Sequence, residues 1–388
     1  MLTMISKCLK IIPLILLTAY LAACSSSRTL EPVELESFDE EGDLAVIWSD
    51  SISGEQGEYY HQFRLAQDED HIYAASQNGF ITKYTKEDGD DVWDIELDVR
   101  LTTGVAIDSK FVYVGSRDGA VIALDKNTGE QRWVSDIRSE LVSVPVSDES
   151  GLYAHASNGD VYKFDVNTGE ELWRVDTNIP ALSLRGTSKP LLIPQLVVVG
   201  TANGKVALIN RDSGQLIAEP KIANPEGDTE VERMVDVDGL PYFHEGILYA
   251  ASFQGQLVAL DMQKGQTIWD SEASSFQDVA YDFESVYLST ANSLVTAYNA
   301  KNGELKWVQE GLLRRRITAP VAYSSYLLVS DLDGYIHLLS QIDGRFIARR
   351  QIDGSGVKSP AMIDSADNSI FYIIANDGCI KAYRYEAD

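Results

Sequence analysis

Five side chains with binding chemistry stand in two irregular segments of an otherwise repetitive chain. They are Leu182, Leu184 and Arg185 in the first segment, and Asp236 and Asp238 in the second. Apolar groups beside an arginine are typical of protein interfaces. An arginine and nearby carboxylates can equally form an internal ion pair, because structural and binding pairs use the same residue types. The residues alone therefore leave two interpretations open: a docking surface for a partner, or a contact that holds two loops together.

Patterns typical of catalysis or metal binding are missing from the sequence. The histidines show no spacing of metal ligands; they are His61, His71, His155, His244 and His337. The G-x-S-x-G, P-loop and H-E-x-x-H motifs do not occur. We therefore expect a binding protein with no catalytic residues, no metal and no cofactor.

Eight copies of one pattern must position the five side chains. Each copy has an apolar run, a first turn, an alternating run and a second turn, and five copies then have a tryptophan. The first turns lie at Gly79, Gly119, Gly159, Gly204, Gly255, Ser293, Gly334 and Gly378. These turns are 38 to 51 residues apart, and a period of this length is typical of propellers and solenoids. Asn-Gly or Asp-Gly between alternating runs predicts strands joined by hairpin turns.

The two ends of the chain complete each other. The eighth copy stops before its fourth strand, and Trp48 lies near the front in a strand-like segment with no repeat ahead of it. Pairing that segment with the last copy removes two exposed edges. We therefore predict an all-β fold, an eight-bladed β-propeller of four-stranded antiparallel blades, whose ring is closed by the N-terminal strand around Trp48.

The spacing of the first turns locates the irregular segments. The successive steps are 40, 40, 45, 51, 38, 41 and 44 residues, and the two longest end at Gly204 and Gly255. The proline that opens each of these blades stays 14 residues before the turn, so the extra residues lie in the connections between blades. Because strands alternate in direction, both connections emerge on the face that carries the first turns. The five side chains are therefore expected on one face, where insertions commonly carry function.

A third connection on that face carries Arg314, Arg315 and Arg316, the only run of three basic residues in the chain. The formal net charge is −27, which repels nucleic acid and anionic membrane surfaces. A run of like charges is usually a solvated surface. An additional contact with a partner is the alternative interpretation of the three arginines.

The N-terminus has the form of a bacterial lipoprotein signal. A basic start and a short apolar stretch lead to Leu-Ala-Ala before Cys24, the cysteine that would carry lipid. We predict a signal peptide at 1–23, a lipidated flexible tether at 24–42 and a single propeller domain at 43–388. Ser25 resembles the residue found after the cysteine in lipoproteins of the outer membrane. This predicts a lipid anchor on the periplasmic face of that membrane, with an ordinary secretory signal as the alternative.

The repeat itself resembles that of pyrroloquinoline-quinone (PQQ) dehydrogenase-like propellers. The resemblance rests on ALDKNTGEQRW at Ala123–Trp133 and FDVNTGEELW at Phe164–Trp173. With the lipoprotein signal, LSLRG at Leu182–Gly186 and DVD before Pro241, the whole chain resembles the BamB family, non-enzymatic lipoproteins of the β-barrel assembly machine in Gram-negative outer membranes.

This resemblance implies a scaffold that assists folding and insertion of outer-membrane proteins. It implies that the five side chains contact the POTRA domains of a BamA-like barrel subunit, which favours the docking interpretation. Other lipoproteins of the machine would be reached indirectly, and unfolded outer-membrane proteins are a further possible partner through β-augmentation.

Two alternative functions remain. A PQQ-dependent dehydrogenase would need a cation site of carboxylate and amide oxygens, an adjacent cysteine pair and long insertions. The chain has neither the cysteine pair nor the insertions. A periplasmic propeller that binds a small ligand in its central channel is the other alternative.

Overall fold

The computed structural model describes residues 31–57, 63–180, 187–229 and 231–388. Within these ranges the chain forms eight four-stranded antiparallel sheets. Each sheet is one blade of a closed ring, so the predicted fold class is confirmed. Among the same residues, no helix has the length and apolar character needed to cross a membrane. The signal peptide and Cys24 lie outside the described residues.

The first strand, β1 (Gly42–Ser51), belongs to the last blade. Blades 1 to 4 contain β2 (Ala66–Gln67), β3 (His71–Ala75), β4 (Phe80–Thr85) and β5 (Asp91–Glu96); β6 (Ala106–Ile107), β7 (Phe111–Gly115), β8 (Ala120–Asp125) and β9 (Gln131–Asp136); β10 (Val146–Asp148), β11 (Gly151–His155), β12 (Asp160–Phe164) and β13 (Glu171–Asp176); and β14 (Leu191–Ile193), β15 (Leu196–Gly200), β16 (Val206–Asn210) and β17 (Leu216–Ala218).

Blades 5 to 8 follow the same order from the axis outward. They contain β18 (Tyr242–His244), β19 (Ile247–Ala251), β20 (Gly255–Asp261) and β21 (Gln266–Ala273); β22 (Ala280–Asp282), β23 (Ser285–Ser289), β24 (Val295–Asn299) and β25 (Leu305–Gln309); β26 (Val321–Tyr323), β27 (Tyr326–Ser330), β28 (Tyr335–Ser340) and β29 (Phe346–Gln351); and β30 (Met362–Ile363), β31 (Ile370–Ile374), β32 (Cys379–Ala387) and β1.

The middle strands of each blade form the core. In β7, Val112 to Gly115 are all buried, because both faces of the sheet pack against neighbouring blades. The outermost strand of a blade alternates instead: in β13 exposed residues are interspersed with partly buried ones. This difference explains why apolar runs mark the second and third strands in the sequence, whereas the fourth strand shows alternation.

The first turn of a blade needs glycine for two reasons. Gly119 has a φ of 87°, a conformation that other residues rarely adopt. A Cβ there would also lie 2.5 Å from the carbonyl oxygen of Ile137. Ile137 begins the connection to the next blade, which we call a crossing, and its N–H donates to the Gly119 carbonyl at 2.7 Å. The hydrogen bond places turn and crossing on one face of the ring, hereafter the crossing face.

The repeated tryptophan and the second glycine contact each other across neighbouring blades. The indole N–H of Trp133 donates to the Val166 carbonyl of the next blade at 2.9 Å. A Cβ on Gly169, the second glycine of that blade, would lie 2.5 Å from the indole ring. The same contact joins Trp48 to Gly89, Trp93 to Gly129, Trp173 to Gly214, Trp269 to Gly303 and Trp307 to Gly344. The Trp–Gly contact therefore fixes each of these blades to the next.

Blade 4 has Ala218 where the tryptophan would stand, four residues beyond Gly214. A Cβ on Gly265 of blade 5 accordingly has no heavy atom within 4 Å. The glycine is retained by its turn conformation, with a φ of 63°, rather than by a neighbouring ring.

The ring closes as predicted. β1 pairs antiparallel with β32, from Gly42 opposite Ala387 to Ser51 opposite Cys379. Trp48 of β1 then packs against Gly89 of blade 1 and donates its indole N–H to the Lys86 carbonyl at 2.9 Å. One strand thus completes the last blade and joins it to the first.

Within the segment predicted as a flexible tether, 24–42, the structure describes residues from 31 onward, and these contact the ring. Residues 31–41 lie against blade 7, where the Glu41 N–H donates to the Ile347 carbonyl at 2.9 Å. Phe38 stacks on Phe346 with ring centroids 5.3 Å apart. Contacts with a remote blade hold this part of the segment in place.

Candidate functional site

Of the two irregular segments, the structure describes the predicted side chains of the second and not those of the first. Leu182, Leu184 and Arg185 fall outside the described residues. Asp236 and Asp238 lie in the crossing 219–241, between β17 and β18. This crossing is described except for residue 230.

A local turn shapes the outer part of this crossing. The Glu232 carboxylate accepts the N–H groups of Asp228 and Thr229, both at 2.9 Å, and the Glu232 N–H donates to the Thr229 hydroxyl at 3.2 Å. This reciprocal capping turns the chain sharply and leaves Val231 58% exposed. The outer turn therefore presents an apolar side chain among acidic ones.

The inner part of the crossing is anchored to the blades on both sides. Val235 and Val237 are buried, and the Val237 N–H donates to the Thr201 carbonyl of blade 4 at 3.2 Å. The Asp236 carbonyl accepts the N–H of Phe253 in the first turn of blade 5 at 2.8 Å. Asp236 itself is fully buried. Its position is thus set by packing and not by solvent.

Asp238 has a different environment. It is partly buried, and within residues 31–57, 63–180, 187–229 and 231–388 no group donates a hydrogen bond to its carboxyl. Burial, and then the negative charge of Asp236, raise its pKa to about 7. A carboxyl in this state binds a cationic group favourably, because the cation removes the penalty on its ionised form.

Asp236 occupies a position that recurs around the crossing face. It stands five residues before the proline that opens the next blade, as do Glu140 and Arg315. In all three cases the backbone carbonyl accepts an N–H from the first turn of that blade, at 2.8 to 3.0 Å. By the same count, Arg185 stands at this position before Pro190. Glu140, Arg185 and Asp236 belong to three consecutive crossings, so the sign of the charge alternates among them at one place in the repeat.

The three arginines do not form the solvated run that their sequence suggests. Arg315 is buried, with Nε 2.6 Å from Asp331 Oδ2 and Nη2 2.6 Å from Asp333 Oδ2. Arg314 is partly buried, and Arg316 is exposed. The structure thus contradicts the expectation of three arginines on the surface. The side chain of Arg315 belongs to the interior because its charge is met by an aspartate that is also buried.

Two aromatic residues near Asp236 were not predicted. Phe253, whose N–H bonds to Asp236, packs against Phe276 in the next crossing with ring centroids 6.4 Å apart. Phe276 is 38% exposed. The sequence does mark Phe253 as unusual, because several other blades have a polar residue at the equivalent position, for example Gln77, Arg117 and Ser157. This pair, with Phe253 partly buried and Phe276 exposed, adds an apolar element to the candidate site on the crossing face.

Charged groups also meet at the ring axis. Arg64 precedes blade 1 and pairs with Asp278, which precedes blade 6. The Leu240 N–H donates to the other oxygen of Asp278 at 2.9 Å. Because blades 1 and 6 are not neighbours, this ion pair connects two non-adjacent parts of the ring. Lys189 lies near both, and burial together with the Arg64 charge lowers its pKa to about 8.

The described histidines behave as packing residues where they are buried. His155 Nδ1 donates to the Ser188 carbonyl at 2.9 Å, and burial lowers its pKa to about 4. Across the described part of the chain, no group of three or more His, Cys, Asp or Glu residues is arranged to hold a metal ion. His61 lies outside it.

Comparisons with known proteins show which family the chain resembles along its length. The model of the family described as "Outer membrane protein assembly factor BamB" matches residues 77–309. A protein of that name from Pseudomonas aeruginosa is 45% identical over 372 residues, which are 95% of this chain and 97% of that protein. The crystal structure of BamB from Moraxella catarrhalis has a TM-score of 0.81 and 28% identity, covering 88% of this chain and 99% of the other.

A quinohemoprotein alcohol dehydrogenase from Pseudomonas putida HK5 is also similar in structure. Its TM-score is 0.71 at 14% identity, with 92% of this chain and 78% of the other covered. At that identity the likeness shows the fold alone.

Proposed function

Since this chain belongs to the BamB family, we propose that it is a non-catalytic scaffold that assists the assembly of outer-membrane proteins. The observation that carries this proposal is the 45% identity to an outer membrane protein assembly factor along 95% of the chain. The relatives that share the chain's length are named as assembly factors, whereas the dehydrogenase shares only the fold.

The expected location follows from the lipoprotein signal. Lipid on Cys24 would hold the propeller at the periplasmic face of the outer membrane, next to the assembly machine. A lipid anchor would attach the protein to the bilayer without a membrane-spanning segment, because lipid chains buried in a membrane hold a protein at its surface.

The docking site we propose is the crossing face around crossings 177–190 and 219–241. Leu182, Leu184 and Arg185 come from the first crossing, and Asp236 and Asp238 from the second. Their partner would be the POTRA domains of the BamA-like barrel subunit, through which the other lipoproteins are reached. Unfolded outer-membrane proteins are a further proposed partner.

Within this site the two aspartates have separate roles. Asp236 is fully buried and fixes the crossing to blade 5 through its backbone, so we assign it to positioning. Asp238 has the raised pKa and no donor among the described residues, so we assign it to the direct contact. A lysine or arginine of the partner would complete it and would favour its ionised form.

Co-purification tests the proposal. The detergent-solubilised lipoprotein is expected to recover a barrel subunit with POTRA domains. Asp238→Arg should reduce that recovery about tenfold or more, as for charge pairs in interface centres. Glu304→Arg makes the same charge change at an exposed position on the opposite face and should leave recovery unchanged.

Two outcomes would contradict parts of this proposal, and a milder variant is available. Equal recovery with both variants would contradict docking at Asp238. Recovery of no barrel subunit by the wild-type protein would contradict the scaffold function. If Asp238→Arg unfolds the isolated protein, Asp238→Asn provides the same test with less disturbance.

A further inference from the structure

Residues 31–41 form a strap that runs along blade 7 from one face of the ring to the other. At one end, the Val33 N–H donates to the Leu313 carbonyl at 3.1 Å, in the crossing 310–320. At the other end, Glu41 bonds to the backbone of Ile347 and pairs with Arg345 at 3.0 Å, next to the last turn of blade 7. Leu35, between the two ends, packs against the core shared by blades 6 and 7. The N-terminal end of the strap therefore lies on the crossing face.

A buried group of charges clamps the strap near Val33. Arg315 Nη1 donates to the Val33 carbonyl at 3.1 Å, while its other nitrogens pair with Asp331 and Asp333. Arg315 and Asp331 are both almost inaccessible to solvent. Because Asp331 and Asp333 fix the guanidinium of Arg315, its charge-assisted hydrogen bond holds the Val33 carbonyl in one position.

A second arginine holds the middle of the strap. Arg349 Nη1 donates to the Glu36 carbonyl at 2.8 Å, and its guanidinium lies 4.9 Å from the centre of the Phe38 ring. Its Nε donates to His337 Nδ1 at 3.1 Å, which leaves Nε2–H of His337 to donate to Asp331 at 3.1 Å. One network, Arg315–Asp331–His337–Arg349, therefore connects both clamps.

We propose that the strap turns the crossing face toward the membrane, and so presents the docking site to a partner that is itself attached to that membrane. The inference rests on the proposed lipid at Cys24. Val33 stands nine positions after Cys24, and nine steps of about 3.4 Å reach about 30 Å at most. A strap fixed in the opposite direction would place the opposite face toward the lipid instead.

The partner's chemistry follows from this orientation. A soluble protein could approach any face of the ring, whereas a domain joined to a membrane barrel occupies the space between the ring and the bilayer. The crossing face, with Asp238, Phe276 and Arg316, would meet such a domain without rotation of the propeller. The strap therefore deepens the proposed function by selecting a membrane-attached partner with basic and apolar groups.

Energy transfer to a membrane dye measures the orientation. The full lipoprotein, with Cys379→Ser, receives a donor dye either at Gln254→Cys on the crossing face or at Gln263→Cys on the opposite face of the same blade; both positions are exposed. The proteins are reconstituted into vesicles with an acceptor on the lipid headgroups. The labels are about 20 Å apart along β20, so we expect roughly twofold or higher transfer from Gln254→Cys.

Variants of the strap separate its role from general stability. Phe38→Ala with Leu35→Ala should bring the transfer from the two labels close together, while the ring keeps its thermal unfolding within a few degrees. Phe283→Ala, an exposed aromatic position outside the strap, serves as the control and should leave the ratio unchanged.

The outcomes distinguish the inference from the proposal beneath it. Mass spectrometry of the purified protein reports lipid on Cys24. Lipidated protein with equal transfer from the two labels, or with more transfer from Gln263→Cys, would overturn the orientation alone. Protein without lipid would overturn both the anchor and the orientation.

Discussion

Asp236 lies two residues before Asp238, and its charge, added to burial, holds the Asp238 pKa at about 7 against an ordinary value of 3.8. At pH values between about 4 and 7, Asp238 is therefore mostly protonated in the folded protein but mostly ionised in the unfolded chain. Stability contributed by the protonated form is present at low pH and decreases as pH rises from about 4 through 7.

Asp238→Asn should remove this dependence. We expect the variant to be more stable than the wild-type protein at pH 8, by up to about 4 kcal/mol, and nearly equal to it at pH 4. Urea unfolding at the two pH values measures the difference. An equal effect of the substitution at both pH values would show that folding does not raise the pKa of Asp238. The variant should in either case bind the partner more weakly.

His155 imposes a dependence of opposite sign. Burial lowers its pKa from 6.5 to about 4, so the unfolded chain binds the proton more tightly. Stability is therefore lost as pH falls from about 6.5 to 4, by about 3 kcal/mol in total. His155→Gln should remove this loss, so its stability relative to the wild-type protein should increase by about 3 kcal/mol as pH falls from 6.5 to 4, whereas His244→Gln, at a more exposed site, should show no such change. Urea unfolding at pH 6.5 and 4.5 measures the difference between variant and wild type, in which the opposite dependence from Asp238 cancels. A difference that is the same at both pH values would contradict the prediction.

The Trp–Gly contact can be measured with a matched pair of substitutions. Gly303→Ala places a methyl group 2.6 Å from the Trp269 ring, whereas Gly265→Ala has open space and a similar φ. We expect a loss of about 1 kcal/mol for Gly265→Ala, from the backbone conformation, and about 2–4 kcal/mol for Gly303→Ala. Similar losses in the two variants would mean that the turn conformation alone preserves these glycines.

Arg315 should act on stability and not directly on a partner. Arg315→Gln leaves Asp331 buried without its cation, and we expect a loss of about 3–5 kcal/mol in unfolding free energy. Arg316→Gln, at the exposed neighbour, should change it by less than about 0.5 kcal/mol. Arg315→Gln with Asp331→Asn should recover part of the loss, and a double variant as unstable as the single one would argue against the ion pair.

Phe276 should contribute to docking. Phe276→Ala should weaken binding to the partner about tenfold, as for aromatic residues near the centre of an interface. Phe283→Ala removes a more exposed ring on the opposite face and is the control. Binding of both variants to the purified barrel subunit can be compared by biolayer interferometry. Equal affinities would place Phe276 outside the interface.

The repeat predicted the fold because each of its signals has a local cause. Gly119 marks a turn that only glycine accommodates well, and Trp133 fills the space left by Gly169. These contacts recur with the period of the chain, so their spacing alone reveals the ring, and the broken periods reveal the two long crossings.

Contacts between distant segments left a weaker trace. The strap joins Val33 to Arg315, 282 positions away. No pattern in the polar segment around Val33 predicts that it contacts blade 7. The sequence contains one indication that Arg315 is buried. Its partner Asp331 stands where Ser116, Thr201 and Ser252 stand in other blades. A carboxylate in place of a hydroxyl implies a nearby cation, but only the structure shows which one.

The pairing of β1 with β32 has a consequence for the order of events during biogenesis. β1 comes first among the strands of the described chain, and it pairs with β32, the last of them. Until β32 has been synthesised, β1 exposes an unpaired edge and Trp48 has no finished blade to join, which favours aggregation of the incomplete chain. The ring therefore closes only when its last strand is in place.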